Sequence, residues 1–236
     1  MTATVVLVHG SWHGAWCWTP VVERLARLDV PVVAIDLPGH GDDRGPLTDL
    51  HGHGDRVRAE LDAIDGPVVL VGHSYGGAAA TDAGTHDAVR HLVYISAFCL
   101  DANESVIGND VPGGHGLELE GAIRLGTDGT MTIDPEVAAA VFYADCDDAT
   151  TAAAIARLGP ERADGFAQQP RSVGWRSRPS TYAVCTQDRA LTPELQRHLA
   201  QRCGASVEWP TSHSPFLSRP DLVTDLLVDL AEAHAA

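Results

Sequence analysis

The chain has 236 residues, with 16 Lys plus Arg against 32 Asp plus Glu and a formal charge of −16. At about 150 residues per domain, that length holds one large domain, or one domain with a substantial insertion. An apolar content of 44% fills a core and excludes general disorder. So negative a field repels phosphate backbones and anionic lipid, which argues against nucleic acid and membrane as partners.

Five cysteines, at 17, 99, 146, 185 and 203, are odd in number and form no CxxC. They read as free thiols in a reducing compartment, and hence as a cytoplasmic protein. The opening MTATVVLVHG has no basic region and an apolar run of only Val5 to Val8, so it reads as a strand and not a signal peptide. No stretch approaches the ~18 apolar residues of a membrane span.

The first expected strand is TVVLV (4–8), an apolar β-branched run without polar alternation, as in a parallel sheet covered on both faces. It ends in His9-Gly10-Ser11-Trp12-His13-Gly14. His9 and His13 have no clear carboxylate partner, so they read as loop hydrogen-bonders and not as metal ligands. Trp12, Trp16 and Trp18 read as packing for this loop and the first helix, with Trp12 also a candidate pocket wall. A helix follows over 19–28, with Val22, Leu25, Ala26 and Leu28 roughly on one face and Pro20 early, where it is tolerated. The strand VPVVAI (30–35) leads to DLPGHG (36–41). Asp36 there reads as a loop organiser, and the group Asp36, His40, Asp42 and Asp43 is not taken as a cation site. A helix over 50–64 carries Val57, Leu61 and Ile64 at spacings of four and three.

The strongest local signal is VVLVGHSYGG (68–77), in which an apolar strand runs into G-x-S-x-G at Gly72 to Gly76. A serine on so tight a strand-to-helix turn is lifted above the sheet edge. Its flanking glycines admit close neighbouring backbone, and Gly77-Ala78-Ala79-Ala80 keeps the next helix slim. Ser74 is therefore the candidate nucleophile. The backbone N–H groups of Ser11 and Tyr75 are the candidate oxyanion donors, and Gly10 lets the first loop double back beside the serine.

After the strand HLVYI (91–95), residues 103–177 break the strand–helix rhythm. They hold VPGGHG (111–116) and Ala-rich patches at 136–141 and 150–158, and they lack a convincing central strand. They read as an insertion of short helices above the carboxyl ends of the strands, where open α/β sheets place ligands. Arg171, Arg176 and Arg178 at its end read as solvated arginines. The core is then 1–102 plus 178–236, a doubly wound, mostly parallel α/β sheet.

The strand STYAVC (180–185) is followed by Asp188, and the weaker strand ASVEW (205–209) by His213 in WPTSHSPF. Helices are expected at 194–203 and at 221–232, where Leu222, Leu226 and Leu230 repeat. A serine hydroxyl needs a base, and the base needs an orienting acid. His213 is the histidine placed on Ser74's sheet edge with a candidate acid nearby. Asp188 lies one helix and one strand before it, and Asp101, after the 91–95 strand, is the rival acid.

The pieces VVLVHGSWHGAWCW, DLPGHG, VVLVGHSYGG, YISAFCLD, YAVCTQDRAL and SHSPFLSRP occur in this order over nearly the whole chain. Through them the chain resembles the α/β-hydrolase superfamily. Within it, the chain is similar to the branch of plant hydroxynitrile lyases, plant methylesterases and their bacterial esterase relatives. The resemblance implies the α/β-hydrolase fold with a helical cap inserted after the sixth strand, a mostly apolar pocket lined near Trp12 and Phe216, and no cofactor. Its lyases carry threonine where this chain has Gly10 and lysine where it has Ser214, so the departures favour an esterase.

The expected activity is hydrolysis of a small or medium, largely apolar carboxylic ester through an acyl-serine. Two alternatives stay open. One is non-hydrolytic biosynthetic chemistry on the same scaffold (cyclisation, a lactonase- or thioesterase-like reaction, or carbon–carbon cleavage), since the motif is common to both. The other is a catalytically silent small-molecule binding protein. The expected partner is the small-molecule ester, and a homodimer through cap or edge elements is a further open alternative.

Overall fold

The structure is a computed structural model that describes residues 2–109, 119 and 121–235. The glycine-rich stretch 111–116 lies outside the described residues. Nine strands and eight α-helices follow one another along those residues. They are β1 (Thr4–Val8), α1 (Thr19–Arg27), β2 (Val32–Ile35), α2 (Leu50–Asp62), β3 (Val68–His73), α3 (Gly76–Ala83), β4 (Val89–Ile95), β5 (Ile123–Leu125), β6 (Thr130–Ile133), α4 (Pro135–Phe142), α5 (Asp148–Ile155), β7 (Glu161–Arg162), β8 (Ser180–Cys185), α6 (Pro193–Ala200), β9 (Ala205–Trp209), α7 (Pro215–Ser218) and α8 (Pro220–Ala233).

Six strands form one parallel sheet in the order β2-β1-β3-β4-β8-β9. Every residue of β3 and β8 is buried, as continuous apolarity requires of strands covered on both faces. One face packs under α2, α3 and α6, through residues such as Val57, Leu61, Ala79 and Leu195. The other packs under α1 and α8, through Val21, Leu25, Val223 and Leu227. The sheet is therefore doubly wound. From β1 the chain runs outward to β2 and then back across to β3, so the loops after β1 and β3 face each other where the order reverses. Ligands of such sheets bind there.

The segment between β4 and β8 differs from its expected all-helical makeup. α4 and α5 are present, capped by Asp134 and Asp147 at their N-termini, but β5, β6 and β7 also pair as a small antiparallel sheet. Its strands have two to four residues, too short to display a period in sequence. The segment leaves the main sheet after the fourth strand of this chain and not after a sixth, because β1 is the first strand among the described residues. A third apolar cluster, with Trp12, Met131, Ile133, Val141 and Phe142 among its members, joins this segment to the loop after β1. No helix among the described residues is long and apolar enough to cross a membrane.

Candidate active site

All five sequence-predicted positions lie in loops after the carboxyl ends of main-sheet strands. Ser11 follows β1, Ser74 and Tyr75 follow β3, Asp188 follows β8 and His213 follows β9. Parallel pairing puts these ends on one edge: Val8 lies beside Gly72, His73 beside Ile95, and Cys185 beside Trp209.

Ser74 sits on the turn between β3 and α3 at φ +52°, a left-handed conformation that costs a non-glycine residue energy and persists only where its surroundings fix it. Those surroundings are tight. A Cβ on Gly76 would lie 2.3 Å from His9 O, and one on Gly10 would lie 2.9 Å from Ser74 Cβ. Ser74 O accepts from Gly77 N and Phe98 N, both at 3.0 Å. Tyr75 has helical dihedrals (φ −55°, ψ −34°) and begins α3, so its N–H points out of the helix start. Among the described residues, neither the Ser11 nor the Tyr75 N–H has a backbone acceptor in the turns and loops.

His213 Nδ1 lies 2.7 Å from Asp188 Oδ2, and both side chains are buried. A carboxylate only accepts, so Nδ1 carries the proton and Nε2 presents its lone pair. The loops carrying the two residues are tied by Thr186 N to Trp209 O at 2.8 Å and Gln187 N to Thr211 O at 3.0 Å. Asp188 Oδ1 accepts from Ala190 N and Leu191 N at 2.7 and 3.0 Å, while Oδ2 also accepts from Gln196 Nε2 at 2.9 Å and from Ser96 Oγ. Ser96, at the end of β4, is fully buried, holds φ +42°, and places Oγ 3.1 Å from His213 Nδ1.

The link from Ser74 Oγ to His213 Nε2 is not among the hydrogen bonds of the described residues. The neighbouring residue joins the two loops: His73 Nε2 donates to His213 O at 2.9 Å, with ring centroids 4.6 Å apart. Burial holds His73 far below the ordinary imidazole range, so it stays neutral and sets no competing cation beside His213.

Other sequence-predicted residues fall as follows. Asp101, the rival acid, pairs with Arg176 at 2.5 Å. Arg171 and Arg178 pair with Asp82 and Asp87, so the three arginines form ion pairs and no open patch. His9 bonds Gly10 O and Leu37 N, and His13 bonds Ser11 O and Tyr143 Oη, as loop-organising residues do. Asp36 accepts from Ala15 N and Asp42 N. Trp12 is buried against Phe142 and Phe166, with ring centroids 6.0 and 6.2 Å away. Phe216 departs from its expected place on a pocket wall. It is fully buried between Trp18 and His73, in the core on the α1/α8 face, because α7 turns its first residues inward directly after the histidine loop. The apolar ring beside His213 is Phe142 of α4, with centroids 5.4 Å apart.

Sequence reasoning missed Ser96, Gln196 and Phe142. Gln196 left one trace, a carboxamide next to Leu195 on the buried face of α6. Ser96 and Phe142 left none.

Residues 5–226 match the model of the Alpha/beta hydrolase family. The chain is 26% identical to alpha/beta hydrolase nvfD of Aspergillus novofumigatus, covering 96% of each. It is 27% identical to methylesterase 1 of Arabidopsis thaliana, covering 96% of this chain and 95% of that protein. Among solved structures it is similar to a pyrethroid hydrolase from Sphingobium faniae JZ-2, at 25% identity and a TM-score of 0.87, covering 99% of this chain and 98% of that one. With its match running from β1 into α8, this chain belongs to the alpha/beta hydrolase family.

Proposed function

We propose that the protein is a carboxylic ester hydrolase that works through an acyl-serine at Ser74, with His213 as base, Asp188 as its orienting acid, and the N–H groups of Ser11 and Tyr75 as the oxyanion hole. The observation that carries this reading is the buried His213 Nδ1–Asp188 Oδ2 contact at 2.7 Å on the same sheet edge as a serine held at φ +52°. Relatives named as a methylesterase and a pyrethroid hydrolase support the reaction class.

Substrate binding draws Ser74 Oγ and His213 Nε2 together, since catalytic hydrogen bonds are commonly long before the substrate arrives. Ser74 attacks the carbonyl carbon and Nε2 takes its proton. The carbonyl oxygen becomes an oxyanion held by the two N–H groups, and Asp188 supports the imidazolium. Nε2–H then protonates the departing alkoxide, leaving an acyl-serine. Water, deprotonated by the same nitrogen, releases the acid and restores Ser74.

The segment between β4 and β8 acts as a cap over the site. Phe142 beside His213, together with Trp12, makes an apolar wall, which suits a small or medium apolar ester. The test is labelling by a fluorophosphonate together with a screen of p-nitrophenyl and aryl methyl esters. Labelling and turnover should both disappear in Ser74→Ala. Turnover that persists in Ser74→Ala, or an unlabelled wild type, refutes the reading.

A further inference from the structure

A second cluster of chemically capable side chains lies outside the site just described. It consists of His40 in the loop after β2, His53 in α2 and Glu161 in β7, all buried, with one donor atom from each lying within 4.8 Å of the others. His40 Nδ1 lies 3.1 Å from Pro38 O, which as an acceptor fixes the proton on Nδ1 and turns Nε2 toward Glu161 Oε2, also at 3.1 Å. His53 Nδ1 is engaged with Tyr75 Oη at 3.0 Å. His53 Nε2 is buried and has no hydrogen-bond partner. Glu161 Oε1 accepts from Arg162 N at 2.9 Å. Each ring is thus anchored through Nδ1, with His40 Nε2 at Glu161 and the buried His53 Nε2 left without a partner, as outer partners orient the histidines of metal sites.

We propose that His40 Nε2, His53 Nε2 and Glu161 form a binding site for one divalent transition-metal ion of the zinc class. Two imidazoles and one carboxylate are the donors such an ion takes, with a fourth position for water. A simple His40–Glu161 ion pair accounts for two of the residues and leaves the buried His53 Nε2 empty, whereas an ion uses all three. At metal–ligand distances of about 2.0–2.1 Å, tetrahedral neighbours sit roughly 3.4 Å apart. His40 and Glu161 already approach that separation, and the His53 donor lies within 4.8 Å of both. His9 is no competitor, although its ring lies 5.4 Å from that of His40: both its nitrogens are engaged, with Gly10 O and Leu37 N.

The ligands come from two parts of the molecule. His40 and His53 belong to the main α/β unit, and Glu161 to the small sheet of the inserted segment. A bound ion clamps that segment down. It also fixes His53 against the hydroxyl of Tyr75, the residue after Ser74. The role is structural, since the ion touches no atom of the reacting groups.

The test is titration of chelator-treated protein with Co2+ over hours, because the cluster is closed. The expected result is one equivalent bound, with visible d–d bands of a four-coordinate site that Zn2+ abolishes, and a rise in wild-type Tm on adding Zn2+. His53→Ala and Glu161→Gln, each verified as folded by circular dichroism, should weaken Co2+ binding at least about tenfold and lose the Zn2+-dependent Tm rise. Absence of stoichiometric uptake at millimolar Co2+, or uptake unchanged in both variants, overturns the site and leaves only adventitious surface histidines. Crystals grown with Zn2+ give a check that needs no variant. An anomalous peak among the three side chains supports the proposal, and a map without one there refutes it.

Discussion

Gln196 Nε2 donates to Asp188 Oδ2 at 2.9 Å, while its Oε1 accepts from Cys185 N at 2.8 Å. One carboxamide on α6 thus holds both the end of β8 and the acid three residues beyond it. The same Oδ2 takes the His213 Nδ1 bond, so Gln196 fixes the direction from which the imidazole is held. Gln196→Leu keeps the bulk and removes these bonds. With an ester substrate, kcat should fall about tenfold with KM nearly unchanged, because the lost alignment acts in proton transfer and not in binding. A fall confined to KM would assign Gln196 to the pocket.

Gly10 determines how closely the first loop can lie beside the serine. A Cβ there meets Ser74 Cβ at 2.9 Å and His73 Nδ1 at 3.0 Å. Gly10→Ala should therefore displace Ser11 N–H from the proposed oxyanion hole, and kcat should fall by about 10²–10³, the range for one lost donor. Steady-state kinetics with near-UV circular dichroism separates this from unfolding, since the substitution touches only the loop and the elbow.

His13 is held in the neutral form. Burial pushes its pKa down from 6.5 to about 4, and Tyr143 Oη lies 2.7 Å from Nε2. The folded ring refuses a proton that the unfolded chain takes up from about pH 6.5 downward. Stability therefore falls as the pH drops through that window, by up to about 3 kcal/mol for this group by pH 4. Burial also pushes His53 and His91 to about 4, so they act in the same direction. Urea unfolding at a series of pH values between 7 and 4.5 should show this slope. His13→Gln should make it shallower by about one proton, and an unchanged slope would count against the neutral ring.

Asp82 of α3 is fully buried, 2.8 Å from Arg58 Nη1 and 2.7 Å from Arg171 Nη2, and Arg171 N also donates to it at 2.5 Å. It fastens the chain returning from the inserted segment to both α2 and α3. Asp82→Ala leaves two partly exposed guanidinium groups without this partner. It should destabilise the fold by about 2 kcal/mol, less than breaking a fully enclosed pair because water reaches the arginines. The midpoint of urea unfolding measures this, and a loss below ~0.5 kcal/mol would place the network among inconsequential surface pairs.

Much of this architecture is legible in the sequence, for local reasons. Runs such as VVLV and TYAVC suit strands buried on both faces, and β1, β2, β3, β4 and β8 fall within a few residues of where such runs stand, while β9 forms at the weaker run ASVEW. Gly72-His73-Ser74-Tyr75-Gly76 announces the elbow, because a serine at positive φ needs small neighbours adjacent in the chain. Asp188 and His213 follow from strand order, since a residue just after a parallel strand must lie on the common carboxyl edge.

What sequence did not disclose depends on contacts between distant residues. Ser96 and Gln196 reach Asp188 from 92 and 8 positions away, and Phe142 meets His213 from a helix whose own pattern records only that one face is apolar. His40 and Glu161 are 121 residues apart, and no spacing rule joins a histidine in a loop to a glutamate on a two-residue strand. Periodicity reports which face of an element is buried, and motifs report turns within a few residues. Only the packing of the inserted segment on the sheet decides which side chains from separate elements end up within bonding distance.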